Sequence, residues 1–195
     1  MFCLKNTTFF ARNACLIFGI ATHVACAKDP QTTLSYNYEE ARKIVNENPP
    51  AQCKPLLAQL LHRLVAERDI LEKVCPGYAQ MSAQDQDKVK DVVLTTIVKL
   101  YASIFEKHCK SSGSFLIKET MPMGNDRVKV IATVTHPNTG SLIKLHFIMQ
   151  GNFLLDVQVE GLSLLNSLAN QGQQFWRKAG HDVEKFMAYF KKAHG

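Results

Sequence analysis

Hydrophobic residues in the first third of the chain recur at steps of three and four, which is the period of an amphipathic helix. A short helix is predicted over 38–46 and ends at Asn48-Pro49-Pro50, because proline disfavours helical geometry in the residue before it. A longer helix follows and ends at Pro76-Gly77. Its apolar stripe consists of Leu57, Leu60, Leu61, Leu64, Leu71 and Val74.

A second long helix is predicted from Ser82 to about Cys109, and Ser82 with Asp85 forms a capping-box pattern at its start. Its apolar positions cover more than one seam. The helix should therefore be buried on two sides, or line a cavity as well as pack against a neighbour. These positions are Val89, Val92, Val93, Thr96, Ile97, Leu100, Ile104 and Phe105.

From Phe115 onward the period of the apolar residues changes to two, which predicts β-strands. Four strands are expected over the ranges 115–121, 128–136, 142–150 and 153–160. Turn residues stand between them at Gly124-Asn125, 137–140 and Gly151-Asn152, so the strands should form an antiparallel meander. The alternation leaves one face of the sheet apolar and the other wet.

Helical periodicity returns after the sheet, from Gly161 to about Ala179. Gly180 ends this helix, and Asp182 is a suitable N-cap for a last helix. The order of elements predicts an α+β fold with N-terminal helices, a four-stranded antiparallel curved sheet and C-terminal helices. No linker or repeat indicates a second domain.

The composition is that of one ordinary globular domain, with 195 residues of which 46% are hydrophobic and 21% charged. No apolar run approaches the roughly 18 residues that a membrane-spanning helix needs. The net charge of +6 suits contact with anionic surfaces. The basic residues do not form the charge pattern typical of nucleic-acid-binding proteins, so no nucleic acid is expected as a partner.

Residues 1–27 have the order of features of a secretory signal peptide. Lys5 and Arg12 precede the apolar run 14–21, and Ala25-Cys26-Ala27 fits the cleavage rule. The alternatives are a short buried helix and a lipoprotein signal with a lipidated Cys26. Cleavage leaves a single secreted or periplasmic domain, 28–195.

Three cysteines remain in that domain, Cys53, Cys75 and Cys109, so at most one internal disulfide is possible. If the two long helices pack as an antiparallel hairpin, Cys75 lies at the far end. Only Cys53 and Cys109 could then approach the Cα separation that a disulfide allows.

Catalytic and metal-binding motifs are not evident in the sequence. His108 and Cys109 are neighbours on a helix, where side chains point about 100° apart, so they do not form a nucleophile and base. His136 and His146 could meet across neighbouring strands, but two histidines make a weak zinc site. They are better interpreted as solvated residues of the polar sheet face, and no metal or cofactor is expected.

The segment Glu160-Gly161-Leu162-Ser163-Leu164-Leu165-Asn166, preceded by Asp156 and followed by Gln171, Gly180 and Asp182, resembles the signature of the MlaC family. Upstream, the helix start at Ser82 and the aromatic residues Tyr101 and Phe105 are also similar to that family. The resemblance covers about residues 81–190. It implies an NTF2-like, cone-shaped fold around an apolar pocket.

Members of that family are periplasmic phospholipid-binding proteins that contribute to outer-membrane lipid asymmetry. The resemblance implies a shuttle between an outer-membrane lipoprotein and porin complex and an inner-membrane ABC transporter with an MCE-domain ring. Exposing the two acyl chains of a phospholipid to water would cost on the order of 20 kcal/mol, so a carrier needs a nearly complete apolar sleeve.

Under this interpretation the apolar sheet face and the wide helix are the walls of an acyl-chain pocket. The predicted lipid-binding residues are Val93, Ile97, Leu100, Ile117, Val130, Ala132, Val134, Leu145, Phe147, Met149, Val157 and Val159. The same pattern also fits a closed core. Two other functions stay open: an enzyme acting on an amphiphile through His136, His146 and Asp156, and a periplasmic adaptor that binds only proteins.

Overall fold

The computed structural model describes residues 29–109, 115–135 and 139–194, and these ranges form an α+β fold of the predicted class. The helices are α1 (Pro30–Glu47), α2 (Pro50–Leu64), α3 (Glu67–Val74), α4 (Ala83–Cys109), α5 (Leu164–Lys178) and α6 (Val183–His194), with a 3-10 turn at Tyr78–Gln80. The strands are β1 (Leu116–Gly124), β2 (Arg127–Thr135), β3 (Leu142–Gln150), β4 (Phe153–Val159) and β5 (Leu162–Ser163).

Helix α1 begins well before the predicted start at residue 38. Asp29 is its N-cap and accepts hydrogen bonds from the backbone N–H groups of Gln31 at 3.2 Å and Thr32 at 3.0 Å. Pro30 occupies the first helical position, where its missing N–H costs nothing. The first turns carry mostly polar residues, so the apolar period alone made the prediction too short.

The single long helix predicted between residues 57 and 74 is wrong, because the chain leaves helical geometry at Val65 and Ala66 and so separates α2 from α3. Val65 forms a parallel bridge with Leu154 of β4, and the Ala66 N–H donates to the Leu154 carbonyl at 3.0 Å. A contact with the outer edge of the sheet therefore breaks the helix. The leucine stripe continues on both sides of this break, so the sequence pattern alone does not reveal that the helix ends there.

Helix α4 begins as predicted. The Ser82 hydroxyl oxygen accepts from the Asp85 backbone N–H at 3.2 Å, and the Ser82 hydroxyl donates to the Asp85 carboxylate at 2.8 Å. Two runs of three consecutive residues, 92–94 and 96–98, are buried. Since neighbouring helical residues point about 100° apart, burial of three in a row confirms that α4 is covered on two sides.

The five strands pair in sequence order as an antiparallel meander, with one strand more than predicted. The additional strand, β5, follows a tight turn in which Glu160 and Gly161 have φ values of +49° and +84°. It takes the place of the first residues expected in the next helix, so α5 begins at Leu164. Register shifts within the β1–β2 and β3–β4 pairs bend the sheet.

Helix α5 approaches α3 unusually closely at Gly172. A Cβ atom there would overlap the Val74 carbonyl oxygen and would lie 3.0 Å from the carbonyl carbon and 3.1 Å from Val74 Cγ1. The chain then turns at Gly180, and the Asp182 carboxylate accepts from the Lys185 N–H at 2.9 Å to cap α6 as predicted.

The two described cysteine side chains, Cys53 and Cys75, are buried free thiols. Lys54 of α2 lies 4.0 Å from Glu106 of α4, and Ala58, one turn later on α2, lines a groove with Lys99, earlier on α4, so the two helices run antiparallel as the hairpin requires. The predicted partner Cys109 has its side chain outside the described residues, as do His108, Ile104 and Phe105. The proposed signal peptide and His136 lie outside them too.

Among the helices of the described ranges, none is both long enough and apolar enough to span a bilayer.

The close approach at Gly172 makes a sharp stability prediction. We expect Gly172→Ala to lower the free energy of unfolding by about 2 kcal/mol, because overpacking a helix contact outweighs alanine's better helix propensity. Asn170→Ala, on the exposed side of the same helix, should change it by less than about 0.5 kcal/mol. Urea unfolding measures both, and equal midpoints would contradict the packing.

The Cys75 thiol should be chemically silent in the folded protein. Burial raises its pKa to about 12, so almost no thiolate exists at pH 8. We expect no labelling of Cys75 by iodoacetamide at that pH until the protein is unfolded in urea, as read by peptide mass spectrometry. Labelling under native conditions, or a native disulfide to Cys75, would contradict its position in the core.

Candidate functional site

The apolar face of the sheet is built from cross-strand rows. Val130 of β2 pairs with Phe147 of β3, and Phe147 pairs with Val157 of β4. Two residues away from Phe147 on β3, Leu145 pairs with Ala132 of β2 on one side and with Val159 of β4 on the other. Because direct partners in an antiparallel sheet project to the same face, these residues form one continuous apolar surface.

The structure brings most of the predicted lipid-binding residues together. Nine of them are buried in one hydrophobic cluster: Val93, Ile97, Val130, Ala132, Val134, Leu145, Phe147, Met149 and Val157. Ile117 and Val159 are half-buried and pack against that cluster. Leu100 differs, since 38% of its surface is exposed. The other residues lie in this cluster or against it, and lipid contact at any of them stays a prediction.

Tyr101, which follows Leu100, is fully buried although the sequence analysis did not include it in the site. Fully buried residues recur on α4 at Val89, Val93, Ile97 and Tyr101, each four positions after the last. Residues with this spacing lie above one another on one side of a helix, so Tyr101 extends the buried stripe of Val93 and Ile97. The four-residue spacing in the sequence already indicated that Tyr101 is buried. The sequence analysis missed it because tyrosine was not counted among the apolar positions of this helix.

Helix α1 packs against the sheet, which the sequence analysis did not predict. Its Tyr38 ring stacks on Phe115 with centroids 3.9 Å apart, and Phe115 meets Phe147 edge-on at 6.1 Å. Nearer its start, the Thr33 hydroxyl donates to the Asn152 side-chain oxygen in the β3–β4 turn at 3.0 Å. These contacts hold α1 against the sheet from the β3–β4 turn to the start of β1.

The interior between α4 and the sheet contains one phenol group with no hydrogen-bond partner among the described residues, the hydroxyl of Tyr101. Burial raises the pKa of Tyr101, and the nearby negative charge of Asp156 raises it further. The Val157 backbone N–H lowers the pKa of Tyr101, but it is not positioned to form a hydrogen bond with the hydroxyl. The phenol therefore stays protonated and is an available donor inside an apolar region.

The polar face of the sheet is less exposed to solvent than predicted. Asp156 is only 6% exposed, and its carboxylate accepts the Leu165 backbone N–H at 3.0 Å, which caps the start of α5. His146 is half-buried rather than solvated, and its Nδ1 lies 3.1 Å from the Gln158 side-chain oxygen. No described contact joins His146 to Asp156, so the pair required by the enzyme hypothesis is not formed by these two residues.

The signature segment shapes the connection between the sheet and α5. The Glu160 carboxylate accepts the Lys144 backbone N–H at 2.7 Å, and the Glu160 N–H donates to the Lys144 carbonyl at 3.0 Å. The Ser163 hydroxyl oxygen accepts the Asn166 N–H at 2.9 Å. Together with Asp156, these groups fix the β4–α5 turn. Their role in this structure is to hold the scaffold behind the apolar face.

Surface grooves lie outside this interior. One, of about 460 Å³, runs between α2 and α4 and is flanked by Lys54 and Lys99. Another, of about 230 Å³, lies between α3, α5 and the polar face and contains Lys73 and Arg127. In the parts of the chain that the structure describes, no group of three or more His, Cys, Asp or Glu side chains is placed to hold a metal ion.

Comparison with known proteins identifies the family. The sequence profile of the MlaC protein matches residues 34–192. A phospholipid-binding protein from Ralstonia solanacearum, solved in complex with a phospholipid, superposes with a TM-score of 0.71 at 17% sequence identity. The match covers 85% of this chain and 97% of that chain, so the two share a fold. A search of curated proteins gives no match.

The profile match extends from within α1 almost to the end of α6, and it includes the apolar sheet face, the buried stripe of α4 and the β4–α5 turn. This chain belongs to the MlaC family.

Proposed function

We propose that this chain is a phospholipid carrier that holds acyl chains between the apolar sheet face and helices α1 and α4. The observation that carries the proposal is the continuous apolar surface of the cross-strand rows and the α4 stripe, in a chain of the MlaC family. The similar Ralstonia solanacearum protein binds a phospholipid on the same fold.

The chemistry of the proposed walls suits acyl chains and not a headgroup. None of the twelve predicted residues is charged, and the polar addition to them is the Tyr101 phenol. A phosphate placed among these side chains would lack a counter-charge, and burying an unpaired charge is very unfavourable. The headgroup is therefore expected at the mouth of the pocket, in contact with solvent.

The wider setting is also proposed. Residues 1–27 act as a signal peptide that directs a single lipid-binding domain, 28–195, to the periplasm. There the domain exchanges phospholipid with an inner-membrane ABC transporter that has an MCE-domain ring, and with an outer-membrane lipoprotein and porin complex. The support is the order of features at the N-terminus and membership of the MlaC family.

The first test is lipid loading. We expect the domain 28–195, exported to the periplasm of a Gram-negative host and purified without detergent, to carry close to one phospholipid per chain. Organic extraction and mass spectrometry measure this ratio. A protein that is folded by circular dichroism and free of phospholipid would contradict the proposal.

Two wall substitutions separate a pocket from a closed core. Phe147→Asp and Val157→Asp each place a carboxylate against the acyl chains, so lipid content should fall at least tenfold while the fold is retained. Phe153→Asp is the matched control, because this phenylalanine of β4 is 53% exposed, and it should leave lipid content unchanged. Unfolding of both wall variants would indicate a closed core at these positions, and retained lipid would place the pocket elsewhere.

The shuttle is tested by transfer. Domain loaded with a deuterated phospholipid is mixed with vesicles that contain the reconstituted transporter and its MCE-domain ring. We expect deuterated lipid to reach these vesicles at least tenfold faster than vesicles without protein, because a closed sleeve releases acyl chains slowly into water. Equal rates, measured by mass spectrometry of the re-isolated vesicles, would contradict the proposed partner.

A further inference from the structure

The Tyr101 hydroxyl is the starting point. Its side chain is fully buried, and its oxygen has no hydrogen-bond partner in the described part of the chain. Buried tyrosine hydroxyls usually have a partner, since an unsatisfied hydroxyl loses its hydration without replacement. Since no described residue accepts from this phenol in the proposed pocket wall, its position suits an acceptor supplied by a bound ligand.

The described groups next to this phenol do not supply the acceptor. The nearby Val157 backbone group is an N–H, which is itself a donor. The Asp156 carboxylate receives the Leu165 N–H at the start of α5 and is not within hydrogen-bond distance of the phenol. The phenol proton is thus free to bond to a ligand lying against Val157 and Ile97.

The charge of Asp156 limits what the acceptor can be. Asp156 directly precedes Val157, whose backbone lies beside the phenol, so its charge disfavours a second negative charge there. A phosphate or a fatty-acid carboxylate would add such a charge, with no described cation in the apolar wall to balance it. A neutral oxygen avoids this repulsion. In a phospholipid, the neutral oxygens that adjoin the acyl chains are the ester carbonyls.

We propose that Tyr101 donates a hydrogen bond to an acyl-ester carbonyl of the bound lipid and thereby sets both its depth in the pocket and its preference for ester-linked lipids. The inference rests on the proposed carrier function. It adds a specificity that apolar walls alone cannot provide, because they contact ester-linked and ether-linked chains equally well.

Competition between two lipids tests the preference. The wild-type domain should bind a diacyl phospholipid about 3- to 10-fold more tightly than the dialkyl ether with the same chains and headgroup, as expected for one net hydrogen bond. In Tyr101→Phe the ratio should fall to about one. Tyr36→Phe, an exposed tyrosine on α1, is the control and should keep the wild-type ratio.

A second measurement uses only the wild-type domain, so that it does not depend on how the variant folds. A diacyl phospholipid with ¹³C-labelled ester carbonyls should show one carbonyl infrared band shifted to lower frequency when bound, relative to the same lipid in dry alkane. An unshifted band, or an ester-to-ether ratio that Tyr101→Phe leaves unchanged, would overturn the role of Tyr101. If the wild-type domain binds neither lipid, the carrier function itself fails, and the inference fails with it.

Discussion

Water must be kept from the apolar face of the sheet, and this requirement determines where the helices lie. Antiparallel strands that alternate apolar and polar residues produce one apolar surface, and its exposure to water is unfavourable. Helix α1 covers it from the β3–β4 turn toward the start of β1, and α4 covers it with a stripe of fully buried residues. Acyl chains are as apolar as these helix faces. The same sheet residues can therefore contact helix or lipid with little difference in hydration free energy.

Strand β4 is where the separate parts of the molecule are joined. Leu154 on its outer edge pairs with Val65 and ends α2, Asp156 caps α5, and Val157 lies in the apolar row beside Tyr101. One strand thus supplies an edge contact, a helix cap and part of the apolar face within four residues. The β4–α5 signature has a structural role, because its polar groups fix the turn that follows β4.

The elements that depend on neighbouring residues could be predicted from the sequence, and those that depend on distant contacts could not. The alternation over β2, β3 and β4 gave their bounds closely, since period two is a local property. The break at Val65 depends on Leu154, nearly ninety residues later, and leaves no trace in the leucine period. Within the site, Leu100 was chosen for its hydrophobicity, whereas Tyr101 has the buried position by its four-residue spacing.

The bridge between Val65 and Leu154 has a consequence for how the chain reaches its final form. A polypeptide that is synthesised from its N-terminus presents α1 to α4, with their apolar stripes, before any of the sheet has followed. The end of α2 cannot be fixed until residue 154 has emerged, because its partner does not yet exist. The contact that ends α2 therefore forms only after most of the chain has been made. During that interval the helical half is the segment in need of a chaperone that shields hydrophobic surface.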